Sequence, residues 1–223
     1  MPMKLLLLFT WIAAVALPWM AEANSGLPYD YPLPEPGTYA LPVIQDAADG
    51  EVIATDGRRL PLRSLTRDRV TVLSFIYTRC TSARACPRAT GVLARLHEWS
   101  AGDRDLASGV RLVSLSFDPQ VDTPDRMAGY AALARSHPKA APWHFLTTAS
   151  REQLAPILRD YGQAVDRKED PRDPEGTLHH ALRVFLVDRE GRVRNIYNSS
   201  NLDARLVMAD IRSLLLEERA PNP

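Results

Sequence analysis

The chain contains two cysteines, Cys80 and Cys86, and their placement is the first feature that could support chemistry. Residues 70–77, just before them, form an apolar run of β-branched and aromatic side chains, which is typical of a strand buried on both faces. Pro87 follows at once, and a proline suits the first turn of a helix. The sequence therefore predicts that both sulfurs lie between a central strand and a helix, where α/β sheets commonly place ligands and redox pairs.

The residues alone allow three uses of this cysteine pair. A structural disulfide could close the loop, with modest stabilisation because the loop is short. A dithiol redox centre is the second use, although five residues separate these cysteines and redox motifs usually have two. The third is a soft-metal site, because two thiolates and a further donor, most often imidazole, suit copper.

Arginines surround the predicted cysteine loop at positions 79, 84 and 88. Guanidinium charge and a helix N-terminus both lower the pKa of a thiol, so the local sequence favours thiolate. The same three residues, Arg79, Arg84 and Arg88, could equally form a solvated basic rim.

A metal site would need an imidazole from elsewhere, and the chain has five: His97, His137, His144, His179 and His180. We expect His97 at the surface or cap of the helix behind the cysteines, and His137 at a helix end, where positive charge is favourable. His144 lies inside a predicted strand. His179 and His180 enter a predicted central strand from a charged loop. Neighbouring strand residues point to opposite faces, so only one of these two should reach the cysteines.

The first 23 residues have the pattern of a secretory signal peptide: Lys4, an apolar run over residues 5–17, and Ala21-Glu22-Ala23 as the cleavage site. Export would place the cysteines where disulfides persist, and we expect a periplasmic protein. An uncleaved N-terminal membrane anchor is the alternative. The 27 basic and 27 acidic residues cancel, which argues against a nucleic-acid or acidic-membrane partner.

The rest of the chain is predicted to form a proline-rich extended lead over residues 24–42 and one domain over residues 43–219. Asp49-Gly50 and Asp56-Gly57 are hairpin signals. After the cysteine loop we expect a helix to about Ser100 and a strand over 111–118. A helix capped by Asp122 follows, then a strand over 143–148, a helix from Ser150, a mobile loop over 166–176, strands over 182–188 and 192–198, and a last helix over 202–218. This order indicates a three-layer α/β fold.

Three stretches resemble the SCO/SenC family of copper-handling proteins. They are Tyr77-Thr78-Arg79-Cys80 leading to Cys86-Pro87, the strand that ends in Asp118-Pro119 followed by Asp122-Thr123-Pro124, and His180 leading through Phe185 to the Asp188–Gly191 turn. With the strand at Trp143 they cover roughly residues 43–216. The resemblance implies a thioredoxin-like fold with an N-terminal hairpin and an inserted hairpin.

The same resemblance implies a function and a ligand set. The family binds one copper ion through its two cysteines and a histidine, which here are Cys80, Cys86 and His180, and it serves the dinuclear copper centre of cytochrome c oxidase. Asp118 and Asp122 match an acidic motif near the copper or facing a partner. They could instead end a strand and cap a helix.

One departure from the family pattern leaves more than one function open for the cysteine pair. The family usually has three residues between its cysteines, and this chain has five. Copper could be held less tightly by the longer loop, or Cys80 and Cys86 could serve as a thiol–disulfide oxidoreductase without stable metal binding. A partner-binding domain with a structural disulfide is the non-catalytic alternative. A peroxiredoxin is disfavoured because residues 70–77 lack the proline expected upstream of its cysteine.

Overall fold

Strand β4 (Val70–Ile76) is the centre of the sheet, and all seven of its residues are buried. It pairs in parallel with β5 (Val110–Ser116) on one side and antiparallel with β9 (Val184–Val187) on the other. Its β-branched and aromatic side chains suit a pleated surface that is covered on both faces. The predicted buried strand before the cysteines is therefore confirmed.

The structure is a computed structural model that describes residues 31–80, 82, 85–134, 137–170, 172–173 and 177–217. The other strands are β1 (Gln45–Asp46), β2 (Glu51–Ala54), β3 (Arg59–Pro61), β6 (Trp143–Thr147), β7 (Val165–Arg167), β8 (Leu178–His180) and β10 (Arg192–Tyr197). The helices are α1 (Cys86–Ser100), α2 (Arg104–Gly109), α3 (Pro124–Tyr130), α4 (Arg151–Asp160) and α5 (Ala204–Glu217), with short 3-10 turns at Leu62–Ser64 and Ala131–Ala134.

Eight strands form one sheet in the order β1-β10-β9-β4-β5-β6-β2-β3, and β7 and β8 form a separate two-stranded sheet. Strands β4, β5 and β6 are parallel neighbours, so their carboxyl ends meet at one edge. Strands β2 and β3 form the N-terminal hairpin. Strands β7 and β8 are inserted between α4 and β9, which completes the thioredoxin-like α/β fold.

The two predicted hairpin signals have different outcomes. Asp56-Gly57 does turn β2 into β3, with Gly57 at a φ of 82°, where glycine is favoured. Asp49-Gly50 does not make a hairpin, because β1 pairs with β10 whereas β2 pairs with β3 and β6. Gly50 instead allows a close approach, since a Cβ there would lie 2.6 Å from Ile157 Cγ1.

Helix α1 begins at Cys86 and has Pro87 in its first turn, as predicted. The buried side includes Leu93, Leu96 and His97, whereas Trp99 is exposed. The expectation that His97 lies at the surface or caps the helix is wrong. Its Nδ1 is 3.0 Å from the carbonyl oxygen of Ala141, a contact made by a distant segment.

Two other helices differ from the sequence prediction at their N-termini. Helix α3 is capped by Thr123, whose side chain accepts a hydrogen bond from the Arg126 N–H, so Asp122 is not the cap. Helix α2 was not predicted, although Asp103 caps it with bonds from two backbone N–H groups. Ser150 caps α4, as expected.

The part of the proline-rich lead that is described has no strand or helix, and it contacts the domain. The Gly37 N–H donates to Ser213, the Tyr39 hydroxyl donates to Asp210, and Leu41 is buried. From Pro32 onward the described residues form one compact unit. The predicted signal peptide lies outside the described residues. Within the described residues, none of the helices has the length and apolar character needed to cross a bilayer.

Candidate metal centre

Cys80, Cys86 and His180 come together although 94 residues of chain separate the second from the third. The imidazole Nε2 of His180 lies 3.5 Å from Cys86 Sγ and 4.0 Å from Cys80 Sγ. All three possible ligand atoms lie within 4.8 Å of one another. Both cysteines are free thiols and buried, and the histidine is half-buried.

The cysteines are held by the junction between β4 and α1. The backbone N–H of Cys80 donates to the Tyr77 carbonyl in a turn that follows the strand. Cys86 is the first residue of α1 and is almost fully buried. The strand end and the helix start therefore position the two sulfurs.

His180 lies on β8 rather than on the predicted central strand, because that strand begins only at Val184. Its Nδ1 is 3.2 Å from the Leu178 carbonyl oxygen, which can only accept, so Nδ1 carries the proton of a neutral ring. The lone pair of Nε2 then faces the sulfurs. The Phe117 and Tyr77 rings pack against the imidazole at centroid distances of 4.9 and 5.4 Å and hold its orientation.

The two thiols differ strongly in acidity. A hydrogen bond from the Cys86 thiol lowers the pKa of Cys80 to about 4. The bond to the Cys80 thiolate, together with burial, raises the pKa of Cys86. Without a metal ion the pair therefore shares one proton, with the negative charge on Cys80.

The two aspartates of the predicted acidic motif are buried and brace the residues just before Cys80. Asp122 accepts hydrogen bonds from the Thr78 N–H at 3.0 Å, from the Thr78 hydroxyl, and from the Ser116 hydroxyl at 2.6 Å. Asp118 accepts from the guanidinium groups of Arg79 and Arg151 at 3.0 and 3.5 Å. In the described residues neither carboxylate belongs to the group that could hold a metal ion.

Three arginines were predicted to surround the cysteine loop, and the structure describes two of them. Arg79 lies beside Cys80 and pairs with Asp118. Arg88 instead donates to the carbonyl oxygens of Ser199 and Leu202, across from the helix. Arg84 lies outside the described residues.

The remaining histidines are excluded from the sulfur site by their positions. His179 is exposed and is paired in register with Asp166, whereas His180 is paired with Val165, so the two imidazoles lie on opposite faces of the β7–β8 hairpin. His144 is on β6, and burial together with nearby arginines lowers its pKa to about 4. His137 packs against His97 at a ring distance of 5.7 Å.

Sequence reasoning missed two residues that support the site and one that borders it. Phe117 and Tyr77 orient the imidazole, and Arg151 shares the Asp118 carboxylate. Phe117 and Tyr77 each directly follow a parallel strand, β5 and β4, whose ends meet at one edge, and that topology was the available signal. No sequence pattern indicated the contact of Arg151 with Asp118, because that contact depends on where α4 packs.

Two sulfurs and one imidazole nitrogen make a soft donor set that suits copper. Three donors on a single ion in a trigonal arrangement are about 3.5–4.0 Å apart if each bond is about 2.0–2.3 Å. The two sulfur–nitrogen distances of 3.5 and 4.0 Å agree with that spacing. The fold and the site define a thioredoxin-like protein with a two-cysteine, one-histidine centre at the carboxyl edge of its parallel strands.

Comparison with known proteins gives the family. The SCO1/SenC family model matches residues 51–216, and the chain belongs to that family. A SCO1 protein homolog of Bacillus subtilis is 27% identical over 160 residues, which cover 71% of this chain and 77% of the homolog.

Two solved structures have the same fold. Bradyrhizobium japonicum ScoI with copper bound superposes with a TM-score of 0.61 at 22% identity, covering 76% of this chain and 99% of that one. BsSco, described as a member of the Sco family of cytochrome c oxidase assembly proteins with a disulfide switch, gives 0.62 at 23% identity and covers 79% and 98%.

Proposed function

We propose that this protein binds one copper ion through Cys80, Cys86 and His180 and delivers it to the dinuclear copper centre of a respiratory oxidase, or prepares the cysteines of that centre. The observation that supports this most directly is the convergence of the two sulfurs and the Nε2 nitrogen within 4.8 Å. Membership of the SCO1/SenC family and the copper-bound ScoI relative agree with it.

Copper would leave by exchange of ligands, with no change in its oxidation state. His180 is released first, because it is half-buried and lies on a two-stranded sheet that is separate from the main sheet. A two-stranded ribbon is marginally stable by itself and shifts more easily than a central strand. A partner thiolate would take the vacated position, and the partner's second thiolate would displace one of the two cysteines. The other cysteine would then dissociate, which leaves the ion bound by the partner's two thiolates.

Asp122 would act on the ion through the chain, not by touching it. Its carboxylate fixes both the backbone N–H and the hydroxyl of Thr78, two residues before Cys80. Asp118 does the same for the Arg79 side chain. Side chains that orient a metal ligand typically change metal affinity about 10- to 100-fold when they are removed.

The proposal places the protein in the periplasm. Residues 1–23 act as a cleavable signal peptide, residues 24–42 as a lead, and residues 43–219 as the copper-handling domain. An N-terminus at Asn24 in protein recovered from the periplasm supports export with cleavage, whereas retention of residues 1–23 in the membrane fraction supports an anchor.

A thiol–disulfide oxidoreductase is the second candidate, and the difference in acidity between the two cysteines favours it. The Cys80 thiolate attacks a partner disulfide, forms a mixed disulfide and releases one partner thiolate. Cys86 then loses its proton and attacks the Cys80 sulfur, which gives the Cys80–Cys86 disulfide and a second partner thiol. Both electrons pass to the partner. The lowered pKa of Cys80 supports the attack at neutral pH.

An anaerobic titration with Cu(I) against a coloured Cu(I) chelator separates the two candidates. We expect one copper per chain, a loss of affinity of at least about tenfold in His180→Ala, and no retained copper in Cys80→Ser or Cys86→Ser. His179→Ala is the matched control, because it removes the neighbouring exposed imidazole. Equal affinity in His180→Ala and the wild type would overturn the ligand set.

If copper is not retained, the reduction potential of the cysteine pair distinguishes an oxidoreductase from a structural disulfide. A potential near those of efficient exchange enzymes, at about −120 to −270 mV, supports the oxidoreductase. A potential below about −300 mV without metal binding leaves a structural disulfide.

A further inference from the structure

Three arginines from three different elements converge on the turn that follows β5. Arg79 and Arg151 donate to the Asp118 carboxylate, and Arg167 donates to the side-chain oxygen of Gln120 at 3.4 Å. We call Arg79, Arg151 and Arg167 the arginine rim. None of the three belongs to the cysteine–histidine group that could hold a metal ion.

The arginine rim lies close to the sulfur site. Arg79 immediately precedes Cys80. Arg167 is two residues along β7 from Val165, which is paired in register with His180. Residues two apart on a strand share a face, so Arg167 lies on the same face of the hairpin as the His180 imidazole.

The rim carries excess positive charge that faces solvent. The Arg79 and Arg151 side chains are 47% and 35% exposed, and Arg167 is exposed as well. Among the described residues, the carboxylate that pairs with them is Asp118, whose side chain is only 2% exposed. Asp118 therefore holds Arg79 and Arg151 in place. The exposed Arg167 donates to Gln120, and its acidic neighbour Asp166 lies on the opposite face of β7.

We propose that the arginine rim docks an acidic face of the protein partner that exchanges copper or electrons with Cys80 and Cys86. This inference rests on the proposed function and adds the chemistry of the partner: carboxylate groups next to its own cysteines. Guanidinium groups bind carboxylates through paired hydrogen bonds, and groups already held in position lose less freedom on binding.

A folded acidic protein suits the rim better than a general polyanion. The whole chain has zero formal charge, so no overall field attracts nucleic acid or an anionic lipid surface. The positive charge is local, and it lies where a partner must place its thiols for ligand exchange. Charges at the edge of an interface act chiefly on the association rate and its salt dependence.

The test measures copper transfer from the loaded protein to two synthetic peptides with the same two-cysteine core, one flanked by aspartates and one by lysines. At low salt we expect transfer to the acidic peptide to be about tenfold faster, and this advantage to shrink as salt is raised, because the attraction is screened. In Arg151→Gln/Arg167→Gln the advantage falls to less than about twofold. In Arg167→Gln alone, which leaves Asp118 paired with Arg79 and Arg151, the rate advantage of the acidic peptide should lie between these two values.

The matched control is Arg59→Gln/Arg95→Gln, which removes the same charge from β3 and from α1, where these arginines pair with Glu51 and Glu98. It should keep the full preference for the acidic peptide. Equal rates for the two peptides in the wild type, or the same loss in this control, would overturn the proposal. Rim-dependent sedimentation with anionic phospholipid vesicles, without any peptide preference, would assign the rim to a lipid surface instead.

Copper stoichiometry keeps this test separate from the test of function. The rim variants should still bind one copper per chain. If the wild type retains no copper, the proposed copper role fails, and the rim is then tested by the reaction of Cys80 with a dianionic and a neutral aromatic disulfide. A rim-dependent preference for the dianionic reagent, absent from the Arg59/Arg95 control, supports the rim, and no preference contradicts it.

Discussion

Two groups of buried polar side chains in this domain differ in whether the protein itself supplies their hydrogen-bond donors. Around α5 and β10, Asp210 accepts hydrogen bonds from the hydroxyls of Tyr39 and Tyr197, both at 2.6 Å, and from the Asn195 amide. Asp188 pairs with the guanidinium groups of Arg192 and Arg194. Each acceptor there meets donors from the protein itself.

The sulfur site lacks that internal balance. Two sulfurs and the lone pair of an imidazole face one another, and all three are electron-pair donors. A proton shared between the two thiols reduces the repulsion between these donor atoms only in part, whereas a soft metal ion would bind all three. The polar groups around α5 therefore stabilise the fold, whereas the three donor atoms beside β8 suit a soft metal ion.

The largest stability effect is expected from Arg194→Met at the α5 side. Arg194 is 6% exposed and contacts Asp188, Glu217 and the Leu41 carbonyl. Its loss leaves the more exposed Arg192 as the remaining guanidinium partner of Asp188 among the described residues, so the free energy of unfolding should fall by about 3–5 kcal/mol. Copper stoichiometry should not change. Denaturant unfolding of Arg194→Met and Arg192→Met measures this, and an equal loss in both contradicts the assignment.

A change at Asp122 should affect both stability and copper. In Asp122→Ala, the Thr78 and Ser116 donors lose their acceptor, which costs about 2–3 kcal/mol. Because Thr78 sets the position of Cys80, Cu(I) affinity should also fall about tenfold. Asp122→Asn, which keeps one acceptor oxygen, should lose less of both. Unchanged affinity in Asp122→Ala would make the carboxylate purely structural.

Asp210→Asn is the corresponding change in the polar group around α5. The amide keeps one acceptor oxygen, but its NH₂ group faces donors, so the free energy of unfolding should fall by about 1–2 kcal/mol. Cu(I) affinity should stay as in the wild type, because Asp210 contacts neither sulfur. A parallel loss of copper binding would show that the two regions are coupled.

The smallest effect concerns His144, a buried-strand histidine outside the sulfur site. Its folded pKa of about 4 lies below the ordinary value of 6.5, so the unfolded chain takes up a proton at a higher pH than the folded one. Stability should therefore fall as the pH drops from about 6.5 to about 4. His144→Gln removes this contribution, and its unfolding free energy should fall about 1 kcal/mol less than that of the wild type between pH 7 and pH 5.5. The same fall in both contradicts the account.

The sequence predicted the parts of the site that depend on local pattern. The run over residues 70–77, the loop and Pro87 specified a buried strand followed by α1, and the structure confirms both. The choice of His180 came from its resemblance to family members and its place before an apolar strand. The register of β7 with β8, which separates His180 from His179, supplies the physical reason for that choice.

The errors come from contacts between distant segments. His97 has a polar side chain on a helix, so its burial against Ala141 could not be read from its neighbours. The residue pattern predicted a loop over 166–176, because a charged stretch lacks the alternation of a strand, and the inserted hairpin was expected only from the family resemblance. The structure forms that hairpin from Val165–Arg167 and Leu178–His180. Asp122 has the residue type of a helix cap, yet a better cap follows it, and its carboxylate contacts Thr78 instead.

The central claim is that the His180 nitrogen and the two sulfurs bind the same ion, and X-ray absorption of the Cu(I)-loaded protein tests it most directly. The account predicts two sulfur neighbours at about 2.2–2.3 Å and one nitrogen at about 2.0 Å. His180→Ala should lose the nitrogen neighbour, whereas His179→Ala should match the wild type. A wild-type spectrum with sulfur neighbours alone, or a nitrogen neighbour that persists in His180→Ala, would contradict it.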